Sequence, residues 1–234
     1  LADGRVSDVT VIRSFDTVLS HIIRLKLAYD GEIAGAPGSV ILKTVIPERA
    51  QTFWHVGRKE VAFYNDVASV MNDHLIPRCY EAVCNDDTKA WHLLLEDVTD
   101  SHTVATAWPL PPTLTQCEQI MRTRARFHAA WWDDPRLGVT VGAWPDTADL
   151  DQQLAGLANR IAQFTERHGH YLSMERRDFY ARLLAAAPRL QARQRSRRNM
   201  TILQGDAHVW NIFLPKDESG GALARRHAAL VRAE

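Results

Sequence analysis

The spacing of apolar residues changes once along this chain, at a run of prolines, and that single change limits the folds open to it. Before the run the pattern is mostly period two. Apolar and polar residues alternate over Val9–Ile12 and again from Ile23 to Tyr29, and the segment SVILKTVI (39–46) follows a turn-rich stretch, DGEIAGAPG. Three strands joined by short loops predict an antiparallel meander. From about Gln51 to Met71 the spacing becomes helical, with Phe53, Val56, Glu60, Phe63, Tyr64, Val67 and Met71 on one stripe. Two further strands, YEAVC and AWHLLLED, flank an NDDT turn. Then comes WPLPPTL (108–114), whose prolines fit neither a helix interior nor a central strand.

Beyond that run the chain reads as helical. Thr115 and Glu118 make a capping box for a helix reaching about Trp132; further helices are predicted over Asp149–His168 and Ser173–Gln194, the last interrupted near Pro188. The helical part ends at TILQGDAHVWNIFL (201–214), two apolar runs that read as strands around a polar loop. The expected class is α+β with two lobes, 1–100 holding a five-stranded antiparallel sheet with one helix and 101–234 being mostly helical.

Charge narrows the partners. The 28 basic and 28 acidic residues cancel, so no global field favours nucleic acid or an anionic membrane. Three cysteines without a CxxC argue against a disulfide framework and a structural zinc, and suit a reducing compartment. Asp3, Arg5, Asp8, Arg13 and Asp16 exclude a signal-peptide core from the first thirty residues, and no apolar run has membrane-spanning length. A cytoplasmic protein is expected. The chain starts at Leu1, which suggests that its first residues are missing or were processed.

Within this frame a few residues are out of place. In SVILKTVI both strand faces are apolar, so Lys43 is either a buried ammonium in need of a partner or a snorkelling residue of an edge strand. Glu60 sits in the middle of the helix's apolar stripe, where a carboxylate needs a cation. Each explains the other. Paired, they hold an ammonium where it can grip a phosphate; the alternative is two solvated residues at the margins of their elements. The loop GDAHVWN adds Asp206 and Asn211, a carboxylate to take a hydroxyl's proton and an amide oxygen to ligate magnesium, with Gly205 turning the backbone ahead of them. Alone, Gly-Asp followed by a distant Asn is a common pattern.

Taken in order, Lys43 in VILK, Glu60 in KEVAFY, LLLEDV (93–98), ARFHAAWW (125–132) and GDAHVWN (205–211) resemble the aminoglycoside phosphotransferase family of small-molecule kinases, whose relatives include choline kinase and ecdysteroid kinase-like enzymes. The resemblance implies a protein-kinase-like fold and transfer of a phosphoryl group from ATP, with Mg2+, to a hydroxyl of a small molecule. Lys43 is then the phosphate contact and Glu60 its orienting partner. Glu96 to Val98 form the hinge that meets adenine through its backbone, Asp206 is the catalytic base, Asn211 the magnesium ligand, and His208 a loop organiser. His128, Trp131 and Trp132 read as packing groups on the capped helix.

The chain departs from the family pattern in three places. The first turn, RSFDTVLSH, has no glycine to cradle phosphates, and the hydroxyls of Ser14, Thr17 and Ser20 are the available substitutes. Gln204 stands where the pattern has histidine. After Asn211 the only aspartate is Asp217, inside KDESGG, and ALARRHAALVRAE shows no strand alternation, so the second metal-binding aspartate is absent. The expectation is a C-terminally truncated or frame-shifted kinase of impaired turnover; the alternative is a non-catalytic nucleotide-binding module. The acceptor is not legible, since Asp133, Asp134, Asp146, Asp149 and Asp151 read equally well as solvated helix ends. A metal hydrolase is disfavoured by the lack of HExxH.

Overall fold

The computed structural model describes residues 4–71, 74–103, 112–217 and 221–224. The WPLPPTL run lies largely outside these residues, as does all of the tail after Ala224. The described residues fall into two compact units: those within Leu1–Ala130 and Leu203–Val231 form the first, and those within Trp131–Ile202 the second. This grouping keeps the helix and loop after residue 112 with the sheet, a different division from one drawn at residue 100.

The first unit is built on a five-stranded sheet. Its strands are β1 (Val6–Asp16), β2 (His21–Tyr29), β3 (Ser39–Thr44), β4 (Cys79–Asn85) and β5 (Ala90–Glu96), in spatial order β1-β2-β3-β5-β4, every neighbour antiparallel. Between β3 and β4 the chain runs through helix α1 (Ala50–Asp66), which packs on β4 and β5. Its approach is close at Gly57, where an added Cβ would lie 2.1 Å from Trp91 Nε1. Val40, Val61, Phe63, Val67, Trp91 and Leu93 are buried there. Burial of such side chains contributes about 1.5–3 kcal/mol each.

Two boundaries differ from expectation. β1 is longer than the four residues predicted, because its exposed face carries no apolar alternation to reveal it. α1 stops at Asp66 and a short 3-10 turn over Ala68–Val70 follows, with Met71 N–H donating to Ala68 O at 3.2 Å. The tighter turn keeps the apolar residues nearly in step, so spacing alone could not separate it from helix.

Helix α2 (Leu114–Ala130) lies against a second, three-stranded sheet of order β6-β7-β8, made of β6 (His102–Thr103), β7 (Ile212–Pro215) and β8 (Leu223–Ala224). Ile120 packs against Ile212, Leu214 and Ala222, and the buried Thr123 hydroxyl donates to Ala222 O at 2.8 Å. The helix is capped two residues earlier than expected: Thr113 Oγ1 accepts from Gln116 N–H (3.2 Å), and Gln116 Oε1 accepts from Thr113 N–H (2.9 Å). Glutamine closes the box as well as glutamate does, so Thr115 and Glu118 are not the cap. The helix also ends before the tryptophan pair: Trp131 is buried and Trp132 is 53% exposed.

In the segment 201–214 the second apolar run is a strand, β7; Thr201 and Ile202 are buried in irregular backbone. Conversely, the tail expected to hold no strand supplies β8, a two-residue pairing too short to leave a periodic signature.

The second unit holds helices α3 (Thr147–His168) and α4 (Met174–Ala192). Asp146 and Asp149 cap α3 reciprocally, and Ser173 caps α4 by accepting from Arg176 N–H at 3.3 Å. α4 runs on through Pro188 without the predicted interruption. Among the described residues no helix is long and apolar enough to cross a membrane.

Candidate functional site

Lys43 lies on β3, which has β2 on one side and β5 on the other, so the edge-strand reading does not apply. Its side chain is 6% exposed, and its Nζ donates to Glu60 Oε1 at 2.6 Å and Oε2 at 2.7 Å; the Glu60 side chain is 3% exposed. The ammonium also lies 5.9 Å from the centre of the Trp91 ring. The pair is dry. Such a pair adds little net stability, because desolvating two charges offsets most of their attraction, but removing either partner strands a buried charge.

This pair forms part of the wall of a cavity of about 650 Å³ in the first unit. Ile22, Ile41 and Leu95 make an apolar wall from the large sheet, and Phe213 of β7 faces the same space. Glu96 and Val98, expected as the hinge, line it too. Part of the hinge backbone is already engaged: Glu96 N–H donates to Arg78 O (2.8 Å), and Val98 O accepts from His102 N–H (2.8 Å) and Ser101 N–H (3.2 Å). Between them, Asp97 acts as a bolt. Its side chain is 1% exposed; Oδ2 accepts from Arg24 Nε (2.5 Å) and Ser39 Oγ (2.6 Å), while Oδ1 accepts from the backbone N–H and the hydroxyl of Thr99. Burial pushes this carboxyl up, but hydrogen bonds from Ser39, Thr99 and Arg24 outweigh it and hold the group below the ordinary carboxylate range.

The third element is the loop entering β7. Gly205 has φ +74°, a conformation that side chains resist, and it starts the turn as the sequence suggested. Asn211, 1% exposed, donates through Nδ2 to Asp206 O (2.8 Å) and to Asp206 Oδ2 (2.9 Å). Trp210 N–H donates to His208 Nδ1 (3.2 Å), and His208 Nε2 lies 3.2 Å from Asn211 Nδ2 and 3.4 Å from Asp206 Oδ2. Gln204 Nε2 reaches Asn211 O at 3.4 Å. From α2, Arg124 Nη2 donates to Ala207 O at 2.6 Å, while its buried Nε has no partner among the described residues and burial pushes its pKa down. Asp206 and Asn211 do not line the cavity with Lys43. They are joined to it through β7, whose Phe213 comes two residues after Asn211.

The glycine-free first turn closes on itself. Thr17 Oγ1 accepts from Ser20 N–H (3.0 Å) and Leu19 N–H (3.3 Å), Ser20 is fully buried, and Ser14 Oγ bonds His21 Nε2 at 2.8 Å. The hydroxyls suggested as a phosphate cradle are spent within the hairpin. Among the described residues no group of three His, Cys, Asp or Glu side chains converges.

A sequence profile of the ecdysteroid kinase-like family matches residues 14–131, half of the chain. The chain belongs to the ecdysteroid kinase-like family. The matched span holds Lys43, Glu60, Glu96 and Val98; the loop with Asp206 and Asn211 lies beyond it. Among solved structures, this ecdysteroid kinase-like chain is similar to a protein from Ralstonia eutropha described as an aminoglycoside phosphotransferase, with a TM-score of 0.54, 13% identity and 98% of this chain covered. The chain spans 60% of the length of that protein. At such identity the likeness is one of fold, a kinase-like α+β architecture. No curated protein matches the chain.

For this family member, sequence reasoning missed two residues that the fold places at the site, Arg124 and Lys216, and did not foresee that Asp97, inside the expected hinge, is tied to Arg24 and Ser39. Arg124 and the Asp97 contacts to Arg24 and Ser39 depend on tertiary hydrogen bonds, which leave no local pattern. Lys216, at the end of β7, reads in sequence as an ordinary turn lysine, yet it lines the cavity.

Proposed function

We propose that this ecdysteroid kinase-like chain is an ATP-dependent phosphotransferase acting on a hydroxyl group of a small molecule. The observation that carries this reading is the dry Lys43–Glu60 pair in the wall of a cavity with apolar faces. A nucleotide base suits those faces, and the ammonium suits its phosphates. Glu96 and Val98 border the end of the cavity where the base would lie.

In this reading Asp206 takes the proton of the acceptor hydroxyl as its oxygen bonds to the terminal phosphorus. The bond from that phosphorus to the bridging oxygen breaks, and ADP leaves. Arg124 and Asn211 hold the loop that carries the carboxylate. Asn211 uses its amide nitrogen on Asp206, which leaves the amide oxygen, a hard donor of the kind magnesium prefers, beside a carboxylate. Magnesium held by Asn211 would supply charge neutralisation on the phosphates. Free cysteines support a cytoplasmic setting, and the balanced net charge argues against a nucleic-acid or membrane partner.

The test is a transfer assay with γ-labelled ATP and Mg2+ against sugars, amino alcohols, aminoglycosides and steroid alcohols, run beside a binding measurement with a fluorescent ATP analogue. Nucleotide binding lost in Lys43→Ala, and transfer lost with binding kept in Asp206→Asn, is the expected result. Binding without transfer to any acceptor favours the alternative, a non-catalytic nucleotide-binding module. No binding at all removes both.

A further inference from the structure

The loop that carries Asp206 has an aromatic side as well as an acidic one. Asp206, His208 and Trp210 alternate along it and all three are exposed, while Asn211 is buried. The alternation has a local cause. His208 caps the 3-10 turn Val209–Asn211 by accepting from Trp210 N–H, and in so tight a turn the inward Asn211 leaves its neighbour Trp210 pointing out.

The three side chains stand in series. His208 Nε2 lies 3.4 Å from Asp206 Oδ2, and the imidazole meets the Trp210 indole at 89°, with ring centres 5.7 Å apart. A perpendicular contact covers one face or one edge of a ring, and Trp210 keeps 43% of its surface open. A single exposed indole is ordinary. This one counts because a single imidazole separates it from the carboxylate that meets the acceptor hydroxyl.

Its surroundings say what would lie on it. The rim of the indole is polar, formed by the imidazole and the carboxylate. Asp206 is also the one acidic residue of the segment 201–214, and the Arg124 guanidinium is bonded to the carbonyl of the next residue, Ala207. With these opposite charges close together, the loop offers an ammonium no surplus negative charge.

We propose that Trp210 is the acceptor platform of this site and that the acceptor is an uncharged sugar, its ring carbons lying on the indole and one hydroxyl on Asp206. This rests on the phosphotransferase reading given above. A sugar ring has a face of C–H groups, which the electron-rich face of an indole attracts, and a rim of hydroxyls to answer the carboxylate and imidazole. A wholly apolar alcohol would desolvate those polar groups without bonding them. The sugar O–H gives its proton to Asp206 as its oxygen bonds to the terminal phosphorus and ADP leaves. Trp210 takes no part in these bond changes and acts on sugar binding.

The experiment is saturation-transfer NMR of the purified chain with a non-hydrolysable ATP analogue, which reads sugar binding without turnover. The probes are neutral hexoses and pentoses, with glucosamine as the charged match for glucose and cyclohexanol as an apolar ring. At least one neutral sugar is expected to bind, with no gain for glucosamine over glucose. Trp210→Ala should weaken that sugar about tenfold or more, and Trp210→Phe should restore most of the loss. In the transfer assay Trp210→Ala should raise KM for the sugar by a like factor with kcat within about threefold. If the alanine variant does not fold, the wild type decides: saturation must fall on the ring protons of one sugar face. Sugar binding that Trp210→Ala leaves unchanged, or transfer to another alcohol but to none of the sugars, overturns the platform and leaves the phosphotransferase reading in place. Transfer to no acceptor removes that reading, and this one with it.

Discussion

Glu60 holds the ammonium of Lys43 with both carboxylate oxygens, at 2.6 and 2.7 Å, and neither side chain has appreciable contact with water. Removing one partner leaves the other charge buried. Glu60→Gln is therefore expected to destabilise the fold by about 3–5 kcal/mol, and the double variant Lys43→Met/Glu60→Leu by less than Glu60→Gln alone. Urea unfolding of the singles and the double forms the cycle that checks this. Additive losses would mean that the two charges are not coupled.

Gly57 marks the tightest approach of α1 to the sheet. A methyl group there would meet the Trp91 indole 2.1 Å away, and the indole is itself buried. Gly57→Ala is expected to cost about 1–3 kcal/mol by overpacking, in spite of the better helix propensity of alanine. The shift should register in tryptophan fluorescence as well as in the unfolding midpoint. A stabilised variant would show that α1 can move off the sheet.

The hinge should respond to acid. Asp97 has a folded-state pKa below its ordinary value, so its contribution is complete above the unfolded pKa of about 3.9 and is lost as pH falls through the lower folded value. Asp97→Asn should be less stable than wild type at neutral pH, and the difference should narrow below roughly pH 4. Urea midpoints measured from pH 7 down to 2 test it; a difference that is constant across the series would assign the effect to packing.

Arg124 combines a cost with a use. Its Nε is buried without a partner among the described residues, while Nη2 holds the carbonyl next to Asp206. Arg124→Met loses one hydrogen bond and relieves a half-buried guanidinium with an unpartnered Nε among the described residues, opposing terms that should leave stability within roughly 1 kcal/mol. Phosphoryl transfer, in the proposed function, should slow by about tenfold or more as the loop loosens. Transfer at the wild-type rate would make Arg124 a packing residue only.

Much of the site was legible because misplaced charges are visible against an apolar background. Lys43 in a strand with two apolar faces and Glu60 in a helical stripe each break a pattern, and a broken pattern requires a partner. Gly205, Asp206 and Asn211 were legible as a local motif, since the bonds between Asp206 and Asn211 close within five residues. What escaped depends on distance along the chain. Asp97 meets Arg24 across 73 residues and Arg124 meets Ala207 across 83, and no local spacing encodes either contact. Short elements escaped for another reason: β6 and β8 are two residues each, less than one period of alternation. The cap of α2 was misplaced because two overlapping candidates, Thr113 with Gln116 and Thr115 with Glu118, satisfy the same rule.

β1 lies at the border of the large sheet, and along its free side no other described strand pairs with it. Val9, Val11 and Ile12 are each about half exposed on it, which would invite a second molecule to add its own strand. Irregularities in pairing with β2, between Val6 and Asp8 and between Val11 and Arg13, interrupt the straight template that such docking needs. Arg13 and Phe15 of the same strand face the cavity, so whatever fills the cavity also braces this border. Solutions of the protein should consequently resist clumping best when their ligand is present.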